Sequence, residues 1–178
     1  GNPLFLGAVE VATSPLGDRV YVIAQGFVET PEFIADSLHT FSRDLVTGEL
    51  TLIDTEDDGA GGVEGLTLPN SLAVSPDGAN IYTVSGFAST APNGPPPSRL
   101  ATFEREAGTG LTNYVSFLED GVGGVDGLDY PLGVAVAADG RWVYGTGAAD
   151  DALAVFSRDP ATGVLAFDRA IRKDANPA

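Results

Sequence analysis

Asp120-Gly-Val-Gly-Gly-Val-Asp-Gly-Leu128 has a near-copy 62 residues upstream, Asp58-Gly-Ala-Gly-Gly-Val-Glu-Gly-Leu66. Seven of the nine positions are identical, and the two that differ, Ala60/Val122 and Glu64/Asp126, differ conservatively. A segment that returns at such a distance marks a repeated structural unit, so the chain is read as repeats before anything else.

Outward from this loop, three copies of one unit align. Each has a turn, at Ser14-Pro-Leu-Gly17, Ser75-Pro-Asp-Gly78 and Ala137-Ala-Asp-Gly140, in which Pro presets φ where it occurs and Gly closes the bend. Alternating apolar residues precede each turn (Val9 and Val11, Leu72 and Val74, Val134 and Val136), the period-two signal of a strand. A second strand follows with a tyrosine at 21, 82 and 144. The third strand is Leu38–Arg43, Leu100–Arg105 and Leu153–Arg158, each running to a Thr-Gly turn at 47–48, 109–110 and 162–163. A fourth strand comes next, for example Leu111–Phe117. No stretch sustains a helical period, so almost no helix is expected.

Four strands joined by hairpins form an antiparallel meander, and a meander repeated at this period is a β-propeller blade. The expected class is all-β. It has three four-stranded blades at about 8–57, 67–119 and 129–172, in a single segment, with inter-blade loops at 58–66 and 120–128. Recurring Tyr and Phe read as blade-to-blade packing. Three blades do not close a ring, so the segment is a partial propeller or half of an assembled one. Its expected partners are the remaining blades of a longer chain or a second copy.

Composition narrows the function. With 43% hydrophobic residues in 178, the chain is not of disordered type despite 23 Gly and 12 Pro. No apolar run approaches the length that spans a bilayer, so no membrane insertion is expected, and Gly1–Leu6 lacks the basic start of a signal peptide. Cysteine is absent, which excludes disulfides, thiolate metal sites and a Cys nucleophile. Against 9 bases stand 25 acids, a net charge of −16. Such a balance opposes nucleic-acid binding and anionic membrane surfaces, and favours cations or a basic partner. It also fits an extracellular or cell-surface setting.

Topology sorts the loops. Turns between first and second and between third and fourth strands share one face of the disc, where they are tight. Second-to-third and inter-blade loops share the other, where everything is longer and more acidic. Insertions follow Tyr21 and Tyr82 but not Tyr144. Insertions on a common core are places where function is grafted, or where surface drift is tolerated. Phe27, Phe33 and Phe87 on them are candidate partner-binding anchors, for a protein or glycan, or else pack onto the blades. The acids of this face include Asp58, Glu64, Asp120, Asp126, Asp150 and Asp151, with Asp57, Glu119, Glu29, Glu32 and Asp36 nearby. Crowded carboxylates repel unless relieved, and Ca²⁺ accepts such hard oxygens in flexible geometry. The first six are the candidate metal ligands, with Ca²⁺ the expected ion; solvated acidic loops are the alternative. The spacing is not that of an EF-hand.

His39 is the only histidine and takes a slot held by Ala101 and Ala154 in the other repeats. It reads as a packed or edge-strand residue rather than a catalytic one. Neither a Gly-x-Ser-x-Gly elbow nor His-rich metal spacing occurs. Arg169, Arg172 and Lys173 form the one basic cluster, expected to protect an edge strand or to dock on the acidic face of another copy.

Ser75-Pro-Asp-Gly-Ala-Asn-Ile-Tyr82, Leu153-Ala-Val-Phe-Ser-Arg-Asp-Pro-Ala-Thr-Gly163 and the Asp120–Leu128 loop resemble the repeats of lactonase-like, YVTN-type β-propellers of bacterial surface and secreted proteins. The resemblance covers about Val9 to Ile171. It implies the propeller fold and, for the enzymes of that group, a divalent metal held by carboxylates near the central channel. Three functions follow as expectations. The first is a non-enzymatic extracellular binding or scaffold module; the others are a metal-dependent lactonase-like hydrolase and a structural repeat of a self-associating assembly.

Overall fold

Period-two apolar runs broken by Gly-containing turns fold as antiparallel sheets. The computed structural model describes residues 7–26, 28–29, 32–87 and 96–173, with the backbone alone described at 28, 29, 32 and 33. In chain order the first strands are β1 (Ala8–Thr13), β2 (Arg19–Ala24), β3 (Val28–Glu29), β4 (Glu32–Phe33), β5 (Ser37–Arg43) and β6 (Leu50–Asp57). Then come β7 (Pro69–Val74), β8 (Asn80–Ser85), β9 (Arg99–Arg105), β10 (Thr112–Glu119), β11 (Pro131–Val136), β12 (Trp142–Gly147), β13 (Ala152–Arg158) and β14 (Leu165–Arg172). Three sheets result, β1-β2-β5-β6, β7-β8-β9-β10 and β11-β12-β13-β14, and β3-β4 is a small hairpin inside the first insertion. The chain is all-β, with no helix among the described residues.

Strands β1, β7 and β11 adjoin across the blades. The Leu72 N–H donates to Glu10 Oε2 at 2.5 Å and the Val134 N–H to Ser71 Oγ at 3.3 Å. Bulges recur at matching places in all three sheets. One lies at the start of each inner strand, between Ala8 and Glu10, Pro69 and Ser71, and Pro131 and Gly133. A second offsets the third and fourth strands. An extra residue sharpens the local twist and re-aims the side chain it carries.

One sheet cannot cover its own two faces, so the core lies between blades. Tyr21, Ile23 and Leu38 of the first meet Leu72, Ile81 and Phe103 of the second. Tyr82, Val84 and Leu100 meet Val143, Ala154 and Phe156 at the next junction. The repeated loop contributes directly: Val63 and Leu66 enter the first core and Val125 and Leu128 the second. Each fully buried side chain of this size contributes about 1.5–3 kcal/mol.

A buried polar bridge joins the second and third blades. Arg158 donates from Nε to the Tyr82 hydroxyl at 2.8 Å and from Nη2 to Asp77 Oδ2 at 2.8 Å and Asn80 Oδ1 at 2.6 Å. The Tyr82 hydroxyl donates onward to the Gly163 carbonyl at 2.8 Å. Burial pushes the Tyr82 phenol up, against the opposing pull of Arg158. Burial also pushes Asp77 up, but hydrogen bonds from Ser75, the Ala79 N–H and Arg158 outweigh it and hold the carboxyl below its usual range.

The glycines of the repeated loop divide into two kinds. Gly123 has φ +62 with open space where a Cβ would stand. Gly127 has φ +83, and a Cβ there would lie 2.7 Å from Ala170 Cβ and 3.2 Å from Ala152 Cβ. Gly123→Ala should therefore cost about 1–2 kcal/mol, the left-handed penalty alone. Gly127→Ala should add about 1–3 kcal/mol of overpacking to it. Urea unfolding of the two variants checks this, and equal costs would refute the close-packed role of Gly127.

Candidate functional site

Gln25, Leu68, Asn70, Phe87 and Tyr130 line an open cavity of about 330 Å³. It lies on the long-loop face, where the approaches to β7 and β11 converge. Backbone placement makes it. Leu68 (φ +52) and Tyr130 (φ +53) stand at the same point of successive repeats, each just before a proline. A residue before proline is normally extended, and a bulky one at positive φ is an outlier held by its surroundings. Here the Leu68 N–H donates to Asp36 Oδ2 at 3.0 Å and the Tyr130 N–H to Ser98 Oγ at 3.0 Å. Gly86 N–H and Ala148 N–H donate to the carbonyls of Leu68 and Tyr130, at 3.2 and 3.0 Å.

The β7 bulge falls on Asn70, whose Nδ2 bridges the carbonyls of Gly86 and Pro131 at 2.7 and 2.9 Å. Gln25 Nε2 donates to the Pro69 carbonyl at 3.2 Å. Phe87 packs edge-on against Tyr130 with centroids 5.7 Å apart and is half exposed. An aromatic corner beside two fixed amides suits a small ring with polar substituents. Of the three phenylalanine anchors, Phe87 belongs to this cavity. Phe27 lies outside the described residues, as does the side chain of Phe33. Gln25, Leu68, Asn70 and Tyr130 were not singled out from sequence. The available signal was the pair Leu68-Pro69 and Tyr130-Pro131 at equal repeat positions.

Five of the six candidate acids of the rim have partners. Asp58 closes its own loop, with Oδ1 accepting the Leu66 N–H at 2.9 Å and Oδ2 the Thr67 hydroxyl at 2.7 Å. Asp120 Oδ1 accepts the Leu128 N–H at 2.9 Å in the same way. Glu64 pairs with Arg99 at 3.1 Å, and Arg99 also holds Glu119 at 2.8 Å and lies 4.1 Å over the Phe117 ring. At the repeat-equivalent position Asp126 takes two bonds from Arg172, at 2.8 and 2.5 Å. Asp150 accepts the Asp129 N–H at 3.0 Å and lies 3.8 Å from Arg172. Asp151 is exposed, with φ +50 in the short loop before β13.

Of the six candidate ligands, Asp120, Asp126 and Asp150 come together, with one oxygen from each within 4.8 Å of the others. Burial pushes the Asp120 carboxyl up, and the neighbouring Asp150, Asp129 and Asp126 add to it against the Leu128 N–H. Hydrogen bonding from Arg172 lowers Asp126. A cation at this cluster would compete with Arg172. That arginine therefore reaches an acid of its own chain, a pairing that the sequence reading of the basic cluster did not include. On the tight-turn face a smaller cavity of about 170 Å³ lies between the first turns of blades 1 and 2, lined by Ser14, Asp18, Asp77 and Arg105 among others.

These three meander sheets are propeller blades, and solved structures share the arrangement. A putative 6-phosphogluconolactonase from Bacteroides uniformis matches with a TM-score of 0.72 at 20% identity, over 97% of this chain and 42% of its own. The periplasmic gluconolactonase PpgL of Pseudomonas aeruginosa matches at 0.69 and 21%, over 96% and 41%. The Swd1 β-propeller domain of Myceliophteria thermophila matches at 0.57 and 14%, over 85% and 41%. The fold is thus that of the lactonase-like β-propellers, and the chain spans about two-fifths of the length of these structures. No protein-family model and no curated protein sequence matches the chain.

His39 sits apart from both cavities, on the central strand β5. Its ring nitrogens lie 3.0 Å from Ser37 Oγ and 3.1 Å from Thr55 Oγ1, so it is a packed and satisfied residue. Burial lowers its pKa below 6.5, with Asp57 opposing. A depressed histidine binds fewer protons folded than unfolded, so its contribution is complete above about pH 6.5 and is lost as pH falls below that value. The melting temperature of the wild type should drop more steeply from pH 7.5 to 5.5 than that of His39→Gln. Parallel curves would refute the assignment.

Proposed function

We propose that this chain is a ligand-binding portion of a lactonase-like propeller, and that its long-loop cavity holds a small polyhydroxylated lactone. The observation that carries the reading is the cavity itself. Tyr130 and Phe87 offer a stacking corner, and paired positive-φ residues shape the backbone around it. Strain of this kind persists only where the surroundings over-determine it, and it concentrates at ligand sites. The gluconolactonase names of the structural neighbours support a cyclic ester as the ligand class. In this reading Tyr130 and Phe87 orient the ring, and Gln25 and Asn70 hold the cavity wall through the carbonyls of Pro69, Gly86 and Pro131. Hydrolysis would open the acyl C–O bond with water and release a hydroxy acid and its proton. A setting outside the cytoplasm belongs to the proposal, supported by the acidic, Cys-free composition.

One observation favours a second reading, binding without turnover: among the described residues, the cavity lining includes no carboxylate and no histidine. Calorimetric titration with glucono-δ-lactone, alongside proton release with and without Ca²⁺ or Mg²⁺, separates the two. Binding with proton release above the uncatalysed rate supports the hydrolase, and binding alone supports the module. Tyr130→Ala should weaken binding roughly tenfold, about 1.4 kcal/mol. Absence of binding by the wild type refutes the cavity assignment.

For the rim we propose that Arg172 supplies the positive charge that Ca²⁺ would otherwise bring to Asp120, Asp126 and Asp150. The wild-type melting midpoint should then be the same in Ca²⁺ and in chelator. In Arg172→Ala, Ca²⁺ should raise it, because binding to the folded state alone stabilises that state. A Ca²⁺-dependent rise in the wild type would show that the ion displaces Arg172.

A further inference from the structure

Both amides in the wall of the long-loop cavity are oriented by backbone carbonyls. Asn70 Nδ2 donates to the carbonyls of Gly86 and Pro131 at 2.7 and 2.9 Å, and Gln25 Nε2 to that of Pro69 at 3.2 Å. A carbonyl can be met only by the NH₂ side of an amide, so each side chain is held with its nitrogen toward the backbone. In Asn70 both N–H bonds are used. What remains of each amide is its oxygen, and neither Asn70 Oδ1 nor Gln25 Oε1 has a partner among the described residues. The Tyr130 hydroxyl also has none there, and it can donate or accept. The side-chain polar atoms of this wall are thus two fixed acceptors and one hydroxyl.

Charge around the cavity has one sign. The long-loop segments 25–36, 58–68, 86–98, 120–130 and 148–151 together carry Asp and Glu but no Lys, Arg or His. Arg99, Arg172 and Lys173 reach this face from the third and fourth strands, away from the inner strands β7 and β11 that carry the cavity. The two arginines are already paired, with Glu64 and Glu119 and with Asp126. A sugar hydroxyl brings a proton to an amide oxygen. A phosphate monoester near neutral pH brings about −1.5 to −2 charges and strong acceptor oxygens. It would set lone pair against lone pair among carboxylates, and such opposition rejects a ligand as a steric clash does.

Resting on the lactone reading above, we infer that the cavity selects a neutral polyhydroxylated ring and excludes its phosphorylated counterpart. Gln25 Oε1 and Asn70 Oδ1 accept from ring hydroxyls and are the specificity-determining atoms. The same wall acts on the product. Ring opening yields a carboxylate, which meets the two oxygens without a proton to offer and is bound less well than the lactone.

The test is calorimetric titration with δ-gluconolactam, the hydrolysis-resistant amide of the same ring, and with its 6-phosphate. The wild type should bind the lactam roughly tenfold or more tighter than the phosphate, and gluconate no better than the phosphate. The ratio should survive about 0.5 M NaCl, because salt screens distant charges far more than groups in contact. Gln25→Lys places an ammonium in the wall that can still donate to the Pro69 carbonyl, and should bring the phosphate level with the lactam or above it. Circular dichroism and the melting midpoint check the fold of that variant. Wild-type binding of the phosphate as tight as that of the lactam overturns the inference and leaves the lactone site standing. So does a ratio that vanishes in salt, which would trace the discrimination to the net charge of the chain, and so does an unchanged ratio in folded Gln25→Lys. Binding of neither the lactam nor glucono-δ-lactone refutes the cavity as a lactone site, and the selectivity with it.

Discussion

A four-stranded blade has two apolar faces and no means of covering either by itself. That constraint selects the residues at nearly every fixed position of the repeat. Tyrosine on the second strand and leucine on the third project toward the following blade, where Tyr82 and Leu100 are fully buried. Phenylalanine on the third strand projects toward the preceding one, as Phe103 and Phe156 do. The glycine-rich loop obeys the same demand. Its valine and leucine enter the inter-blade core, its aspartate closes the loop on a backbone N–H, and its last glycine leaves room for the next sheet to approach. Its retention in two copies is explained by packing before any ligand is considered.

Charge is handled through the same junctions. With a net charge of −16, the chain must hold many carboxylates at short range, and several of its arginines, among them Arg99, Arg105 and Arg158, sit where blades meet. Arg99 ties Glu64 of a loop to Glu119 of β10, and Arg172 ties Asp126 to the edge of β14. Exposed pairs of this sort contribute little individually, about 0–1 kcal/mol. Their larger effect is to relieve repulsion among neighbouring acids. Arg158 differs because its side chain is 1% exposed. A buried guanidinium is tolerated only with its donors filled, and Asp77, Asn80, Tyr82 and Gly140 fill them.

The repeat, the four-strand unit and the packing role of Tyr and Phe were legible in the sequence because each is written locally and three times over. Turn residues, period-two alternation and spacing all point one way. The site was less legible, for a physical reason. Gln25, Asn70, Phe87 and Tyr130 come from four separate segments, and what brings them together is a bulge and two left-handed residues that no periodicity announces. The acids were easy to find and hard to interpret. A carboxylate that accepts its own loop's N–H, such as Asp58 or Asp120, looks in sequence the same as one awaiting an ion. Pairing of Glu64 with Arg99 and of Asp126 with Arg172 depends on an arginine of the next blade, on its third strand in one case and its fourth in the other, 35 and 46 residues further on.

The two faces of the blades divide the work of the fold. On the tight-turn face, short connections leave the backbone with few options, and side chains there bond across the junctions. Arg105 and Arg158 hold equivalent positions on their third strands and both cross a junction, Arg105 to Asp18 and Arg158 to Asp77, Asn80 and Tyr82. On the long-loop face the repeats diverge, with insertions in the first two blades and a short turn at Ala148–Asp151 in the third. Strained residues, the bulge-borne Asn70 and the half-exposed Phe87 all lie on that second face. A scaffold whose junctions are fixed on one side can accommodate backbone strain on the other, because distortion at Leu68 or Tyr130 need not propagate into the cores beneath. Leu66 and Leu128, two residues before the strained positions, remain fully buried. Ligand chemistry can therefore change on the long-loop face without altering the residues that hold one blade to the next.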